Sequence, residues 1–365
     1  MPSLGRFLRQ YLYPSATAVV VREVVYRRGN EALPAALYSP ANQRGPLPAW
    51  VVLHGLTYHG RRHPSLDRLV RAIAASGAVV LVPEVPEWSS LQVAPGVTGA
   101  SIVGGVDALL ANVDVIPERV GVFGFSFGAT QALVASTDPH VRERTSSIVA
   151  WGGYADLYRL FHFGITGEHE LDGEHYRVAP DPYGGWVMGA NYLTRIPGHR
   201  RDQALADALR SLAEESGRRG TFAGDPSYDP LKLELRASLS PAQREVFDLL
   251  APRKDSPDPD PEFAAQLSRA LADAAIETDP LLDPTPFLPS IGQKVLIAHG
   301  RGDRLVPFTE ALRLNRALPG AHVRGCTVTS LFAHSGGAGT SLGPIARGME
   351  GIRFLNLLSR MLDLV

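Results

Sequence analysis

The sequence predicts an α/β fold: a mostly parallel, eight-stranded sheet flanked by helices and interrupted by an inserted helical segment. Three observations carry this. Short apolar runs alternate with stretches of helical period, the mark of strand–helix–strand units. Several of those runs are apolar throughout, as strands buried on both faces must be. The rhythm stops after Tyr154 and resumes near residue 286, with only amphipathic helices between.

The elements follow in order. "TAVVVREVVYR" (17–27) and "PAALYSP" (34–40) are rich in Val and Tyr and read as antiparallel strands joined by a turn. "PAWVVLHG" (48–55) and "GAVVLVPE" (77–84) are buried strands, with the helix "PSLDRLVRAIAASG" between them. Leu66, Leu69, Val70 and Ile73 share one face of that helix; Pro64 stands at its start and Gly77 at its end. Helix "GASIVGGVDALLANV", strand "ERVGVFG", helix "FGATQALVAST" and strand "SSIVAWGG" continue the alternation. Residues 156–285 form the expected insertion, with helices over 200–216, 241–250 and 261–276. The sheet resumes with "QKVLIAHG" (293–300), the helix 308–318 and the strand 321–332. A last helix spans about 344–363, where Ile345, Met349, Ile352, Leu355 and Leu358 make an apolar stripe. At the N-terminus Phe7, Leu8, Tyr11 and Leu12 make one sticky face of a short helix. The domain plan is therefore a core of 1–155 and 286–365 with a cap of 156–285.

Composition narrows the function classes. The chain has 365 residues, 45% hydrophobic and 20% charged, which is globular in character. A formal net charge of −1 gives no field that favours nucleic acid or an anionic membrane surface. Lys232, Lys254 and Lys294 are the only lysines, so the positive charge is nearly all arginine. This reads as the bias of a GC-rich, bacterial genome and not as a binding site. No run of about 18 apolar residues is present, so no membrane span is expected. The N-terminus has no apolar core of signal-peptide length, and Cys326 is the only cysteine. A cytoplasmic location is the expectation.

One stretch carries the chemistry. In "GVFGFSFGAT" (121–130), Ser126 stands between Gly124 and Gly128, after a strand and before a helix. A strand-to-helix turn this sharp strains the serine backbone and requires small residues two before and two after it. It lifts Oγ clear of the sheet, near the positive end of a helix. An oxyanion would need two backbone donors, and losing one costs on the order of 3 kcal/mol. Phe127, directly after the serine, and Leu56, after His54-Gly55, are placed to give them; the His54 ring is expected to brace its loop. "HGRGDRLVP" places Asp303 after a buried strand, where a carboxylate can orient an imidazole. Asp156 is its rival. "SLFAHSGG" puts His334 after the last strand as candidate general base. Ser126, Asp303 and His334 each follow the carboxyl end of a strand, where ligands gather in open α/β sheets.

With "VVLHGL", "RVGVFGFSFGA", "LIAHGRGDRLVP" and "LFAHSGG" in place, the chain resembles the α/β-hydrolase superfamily, in a bacterial dienelactone-hydrolase-like or esterase-like branch. The resemblance covers about 1–155 and 286–365. It implies Ser126 as nucleophile, His334 as base, Asp303 as orienting acid, Leu56 and Phe127 as oxyanion donors, and no metal or organic cofactor. Serine at position 126 argues against the dehalogenase and epoxide-hydrolase branches, which use aspartate there. The insertion sits where superfamily members often carry a lid.

The implied activity is hydrolysis of a carboxylic ester in a small-molecule acyl substrate. Peptidase, amidase or thioesterase activity with the same triad, and a silent binding protein, stand as alternatives. Tyr183, Trp186, Met188 and Tyr192, with Phe161 and Phe163, are candidates to line an apolar acyl pocket, or else to form the cap's own core. "HELDGEH" (169–175) gathers His169, His175 and acids, but without metal-ligand spacing; it reads as a solvated loop. Oligomeric state is not predicted.

Overall fold

The computed structural model describes residues 2–256, 259–331 and 344–365. Helix α1 (Leu4–Leu12) leads into β1 (Val19–Arg28), β2 (Glu31–Pro40) and β3 (Leu47–Leu53). Then come α2 (Pro64–Gly77), β4 (Val79–Pro83), the one-turn α3 (Pro86–Ser89), α4 (Thr98–Asn112) and β5 (Val115–Phe125). Helices α5 (Phe127–Ala135) and α6 (Pro139–Arg142) precede β6 (Ser147–Trp151).

The sheet order is β1-β2-β4-β3-β5-β6, completed by β9 (Lys294–Gly300) and β10 (Val323–Thr329). Pairing is antiparallel from β1 to β2 and from β2 to β4, and parallel across the rest. The eight expected strands are all present, and the central ones are buried on both sides. In β3, for example, Ala49, Val51 and Leu53 enter one core while Trp50 and Val52 enter the other. Helices α1 and α2 pack on the face of Trp50; α4 and α5 pack on the opposite face.

Between β6 and β9 the chain forms α7 (Leu157–Thr166), a hairpin of β7 (Glu168–Leu171) and β8 (Glu174–Arg177), and α8 (Pro182–Tyr192). Then follow α9 (Gln203–Arg219), α10 (Asp229–Ala237), α11 (Pro241–Leu250) and α12 (Pro261–Thr278). The hairpin corrects the reading of "HELDGEH" as a loop. Asp172 and Gly173 both have positive φ, 56° and 81°, and form the two-residue turn. His169 packs between aromatic rings, with Phe163, Tyr176 and Phe308 all within 5.4 Å, and its Nδ1 lies 3.1 Å from the Thr309 hydroxyl. The insertion is not a detached layer. Its buried residues, among them Leu209, Phe247 and Leu271, belong to one hydrophobic cluster with Val51, Val122 and Leu133 of the sheet layer.

Helix α13 (Phe308–Ala317) joins β9 to β10, and α14 (Pro344–Leu362) follows. Of the stripe expected on that last helix, Leu358 is buried, Met349, Ile352 and Leu355 are exposed, and the Ile345 side chain lies outside the described residues. Met349 and Ile352 are more than half exposed, while Leu357, Leu358, Met361 and Leu362 are buried. Before Phe354 the buried position described on this helix is the charged Glu350, and the buried apolar stripe begins at the half-buried Phe354. In α1, Phe7 is buried but Leu12 points to solvent. Among the described residues no helix is long and apolar enough to cross a membrane.

Candidate active site

Strand β5 runs straight into α5, and Ser126 is the single residue between them. Its φ of 53° and ψ of −123° lie outside the regions open to most side chains. The flanking glycines are required by contact. A Cβ at Gly124 would stand 2.2 Å from the Gly128 carbonyl oxygen, and one at Gly128 would stand 2.6 Å from that of His54. The Ser126 N–H donates to the Trp151 carbonyl at 2.8 Å, which ties the turn to β6. Ser126 occupies the N-cap of α5, yet its side chain makes no cap hydrogen bond. Ser3 and Ser240, at the N-caps of α1 and α11, do accept one. Phe127 opens α5, so its N–H is among those that a helix leaves without an internal partner.

The loop after β3 passes directly over the serine. A Cβ at Gly55 would lie 3.2 Å from that of Ser126. His54 braces this loop as expected. It is buried; its Nδ1 is 2.8 Å from the Gly55 carbonyl, and its Nε2 accepts from the Val85 N–H at 3.4 Å. A carbonyl only accepts and an N–H only donates, so the ring is neutral with its proton on Nδ1. Burial holds its pKa below the ordinary histidine value. The Gly55 carbonyl and the Leu56 N–H belong to one peptide plane, so His54 also orients the Leu56 donor.

Asp303 lies in the loop after β9 and is buried. Its Oδ1 accepts from the N–H groups of Leu305 and Val306, at 2.9 and 3.0 Å. Its Oδ2 is 3.5 Å from Nε2 of the buried His299, which also bonds the Val306 carbonyl at 2.9 Å. Sequence reasoning missed His299; it sits four residues before the acid at the end of a buried strand. Asp156, the rival acid, caps α7 through the Arg159 N–H at 3.0 Å and pairs with that guanidinium. His334 lies outside the described residues.

Ser126, Leu56, Phe127, Tyr183 and Tyr192 line one cavity of about 430 Å³. Phe161 and Met188 line it too, so the expected acyl-pocket residues converge there with two exceptions. Trp186 is fully buried but is not in the cavity wall. Its ring meets Tyr228 at 6.0 Å and the Lys232 ammonium at 5.8 Å, inside the insertion. Phe163 likewise packs against His169 at 5.4 Å and not into the cavity. One charged wall residue was not foreseen: Asp181 is buried, and burial pushes its carboxyl up to about 6. Its Oδ1 accepts from the Tyr183 N–H at 3.1 Å and caps α8. Burial also raises the hydroxyls of Tyr183 and Tyr192, so both stay protonated.

No known family and no curated protein matches the chain by sequence. Among solved structures it is similar to the uncomplexed acylaminoacyl peptidase of Pyrococcus horikoshii, with a TM-score of 0.51 and 12% identity, over 97% of this chain and 43% of that one. An acylaminoacyl peptidase in complex with Z-Gly-Gly-Phe-chloromethyl ketone gives a TM-score of 0.51 at 12% identity, over 96% of this chain and 43% of that one. The chain thus spans less than half the length of these two peptidases. A 2,6-dihydroxy-pseudo-oxynicotine hydrolase superposes with a TM-score of 0.47 at 15% identity, over 99% of this chain and 73% of that one. At such identities the likeness to the two peptidases is one of architecture, and with the sheet order and the strained serine turn it gives the conclusion that this chain has the α/β-hydrolase fold.

Proposed function

We propose that this protein is a serine hydrolase that cleaves a carboxylic ester of a small-molecule acyl substrate. Ser126 is the nucleophile, His334 the general base and Asp303 the acid that orients it. The catalytic core is 1–155 with 286–365, and 156–285 is its cap. The observation that carries this reading is the Ser126 backbone, held at a positive φ between two glycines that no larger residue can replace. Such strain is kept where a side chain must stand clear for chemistry.

His334 takes the Ser126 proton as Oγ attacks the acyl carbonyl. The tetrahedral oxyanion accepts hydrogen bonds from the Leu56 and Phe127 N–H groups. The imidazolium returns its proton to the leaving alkoxide, and an acyl-serine remains. Water then attacks, giving its proton to His334, and the acid departs as Oγ is reprotonated. Tyr183 and Tyr192 belong to the wall that holds the substrate. The cavity's apolar character suits an aliphatic or aromatic acyl group.

Amide or peptide cleavage by the same triad is the second reading, favoured by the likeness to two acylaminoacyl peptidases. Thioester cleavage shares the same acyl-serine. The test is a fluorophosphonate probe read by intact mass on wild type and Ser126→Ala, beside turnover of p-nitrophenyl esters and the matching p-nitroanilides. One adduct lost in the variant, with ester turnover, is the expected result. Anilide turnover alone would move the assignment to amides. No adduct in either protein would overturn the nucleophile.

A further inference from the structure

The first turn of α8 touches both loops of the site. The Asp181 N–H donates to the Arg304 carbonyl at 2.7 Å, beside Asp303. Two residues on, the Tyr183 hydroxyl donates to the Leu56 carbonyl at 3.0 Å. The direction is unambiguous, since a carbonyl can only accept. Asp181 fixes the spacing between the two contacts by accepting the Tyr183 N–H. The far end of α8 is pinned as well. Asn191 accepts from the Val93 N–H at 3.2 Å and donates to the Leu91 carbonyl at 3.0 Å. Helix α8 is therefore held to the sheet layer at three places, and Tyr183 is its contact with the residue expected to bind the oxyanion.

Resting on the serine-hydrolase reading, we infer that Tyr183 is a positioning residue that sets the oxyanion donor from the side of the insertion. Two carbonyls flank the α-carbon of Leu56. His54 holds the first, on Gly55, and Tyr183 holds the second, on Leu56 itself. With both peptide planes pinned, the dihedrals of Leu56 are restrained and its N–H keeps one direction. A donor already aimed at the developing charge needs no reorganisation when the charge forms, which is the source of oxyanion stabilisation. Tyr183 is half-buried and desolvation raises its hydroxyl, which stays neutral, so the clamp survives across the working pH range of a serine hydrolase. This role differs from lining a pocket, because it resides in the hydroxyl and not in the ring.

Tyr183→Phe keeps the ring in the cavity wall and removes only the clamp. The experiment measures kcat and KM on a p-nitrophenyl ester for wild type, Tyr183→Phe and Ser126→Ala, with amide hydrogen exchange of the peptide over 55–60 in each. The expected result for Tyr183→Phe is a fall in kcat on the order of tenfold, with KM changed less than about twofold and faster exchange in the loop. Unchanged kcat and unchanged exchange would overturn the clamp, as would a change in KM alone, which marks a pocket wall. Full turnover in Ser126→Ala would overturn the serine reading separately, and the exchange result would then judge the clamp by itself.

Discussion

A side-chain carbon at position 124 would stand 2.2 Å from the carbonyl oxygen of Gly128 and 2.6 Å from the Ala129 α-carbon. Backbone cannot yield as a flexible side chain can. Gly124→Ala must therefore open the turn between β5 and α5, and Ser126 moves with it. The expected outcome is loss of more than about a hundredfold in ester turnover, with destabilisation of roughly 1–3 kcal/mol. Turnover and thermal melting of the variant check both. Wild-type turnover would show that the turn is not what presents Oγ.

His54 gives a prediction with a pH sign. Its folded pKa is depressed by burial, and only the neutral ring can accept from the Val85 N–H. The unfolded chain binds the proton more readily. Stability from His54 is therefore complete above the unfolded value of about 6.5 and is lost as pH falls below it. Urea unfolding at pH 7.5 and 5.5 should show that wild type, relative to His54→Gln, is less stable at the lower pH than at the higher, whatever Glu310 adds to both proteins. The same variant should lose activity at both pH values, because the plane that carries the Leu56 N–H is no longer held.

Glu310 has the opposite sign. It is buried on α13, where its Oε2 accepts from the N–H groups of Ala155 and Asp156 at 2.9 and 3.1 Å, at the point where the chain leaves β6 for α7. Burial raises its carboxyl to about 7, and Arg313, at 3.6 Å, offsets this only in part. Because the folded value exceeds the unfolded one, stability is greatest below about 4.5 and is lost as pH rises towards 7. The loss is roughly 1–3 kcal/mol. Glu310→Gln keeps an acceptor for both N–H groups and should flatten that slope between pH 4.5 and 7 in denaturant titrations. Glu310→Ala leaves two buried donors without a partner and should destabilise at every pH.

The succession of strands along the chain and the serine turn were legible in the sequence because each rests on a local requirement. Buried parallel strands need apolar runs, and the turn needs glycine on both sides of Ser126. The hairpin of β7 and β8 was missed: Asp172-Gly173 is a two-residue turn signal, but the four-residue strands are too short to show alternation. What the sequence hides is which way a helix faces. Trp186 and Tyr183 are three residues apart on α8, yet one turns into the insertion and the other reaches Leu56. Helix α8 is apolar nearly all round, so periodicity gives it no phase. The same holds for α14, whose exposed Met349 and Ile352 mimic a core stripe. The contact between Tyr183 and Leu56 spans two distant segments, and no local pattern announces it.

Strands β6 and β9 lie side by side, with Ser147 opposite Lys294, although the whole insertion separates them along the chain. Closing so long a loop while it is unstructured costs entropy before any pairing rewards it. If α7 to α12 first collapse onto the sheet layer, with which they share one hydrophobic cluster, the two ends are brought together at lower cost. Refolding should therefore proceed from the amino-terminal strands through the insertion to β9 and β10. The serine turn can form early, from neighbouring segments, whereas Asp303 arrives only when β9 docks. The chain would in this way assemble the proposed nucleophile well before the proposed acid, and activity would be the last property to return.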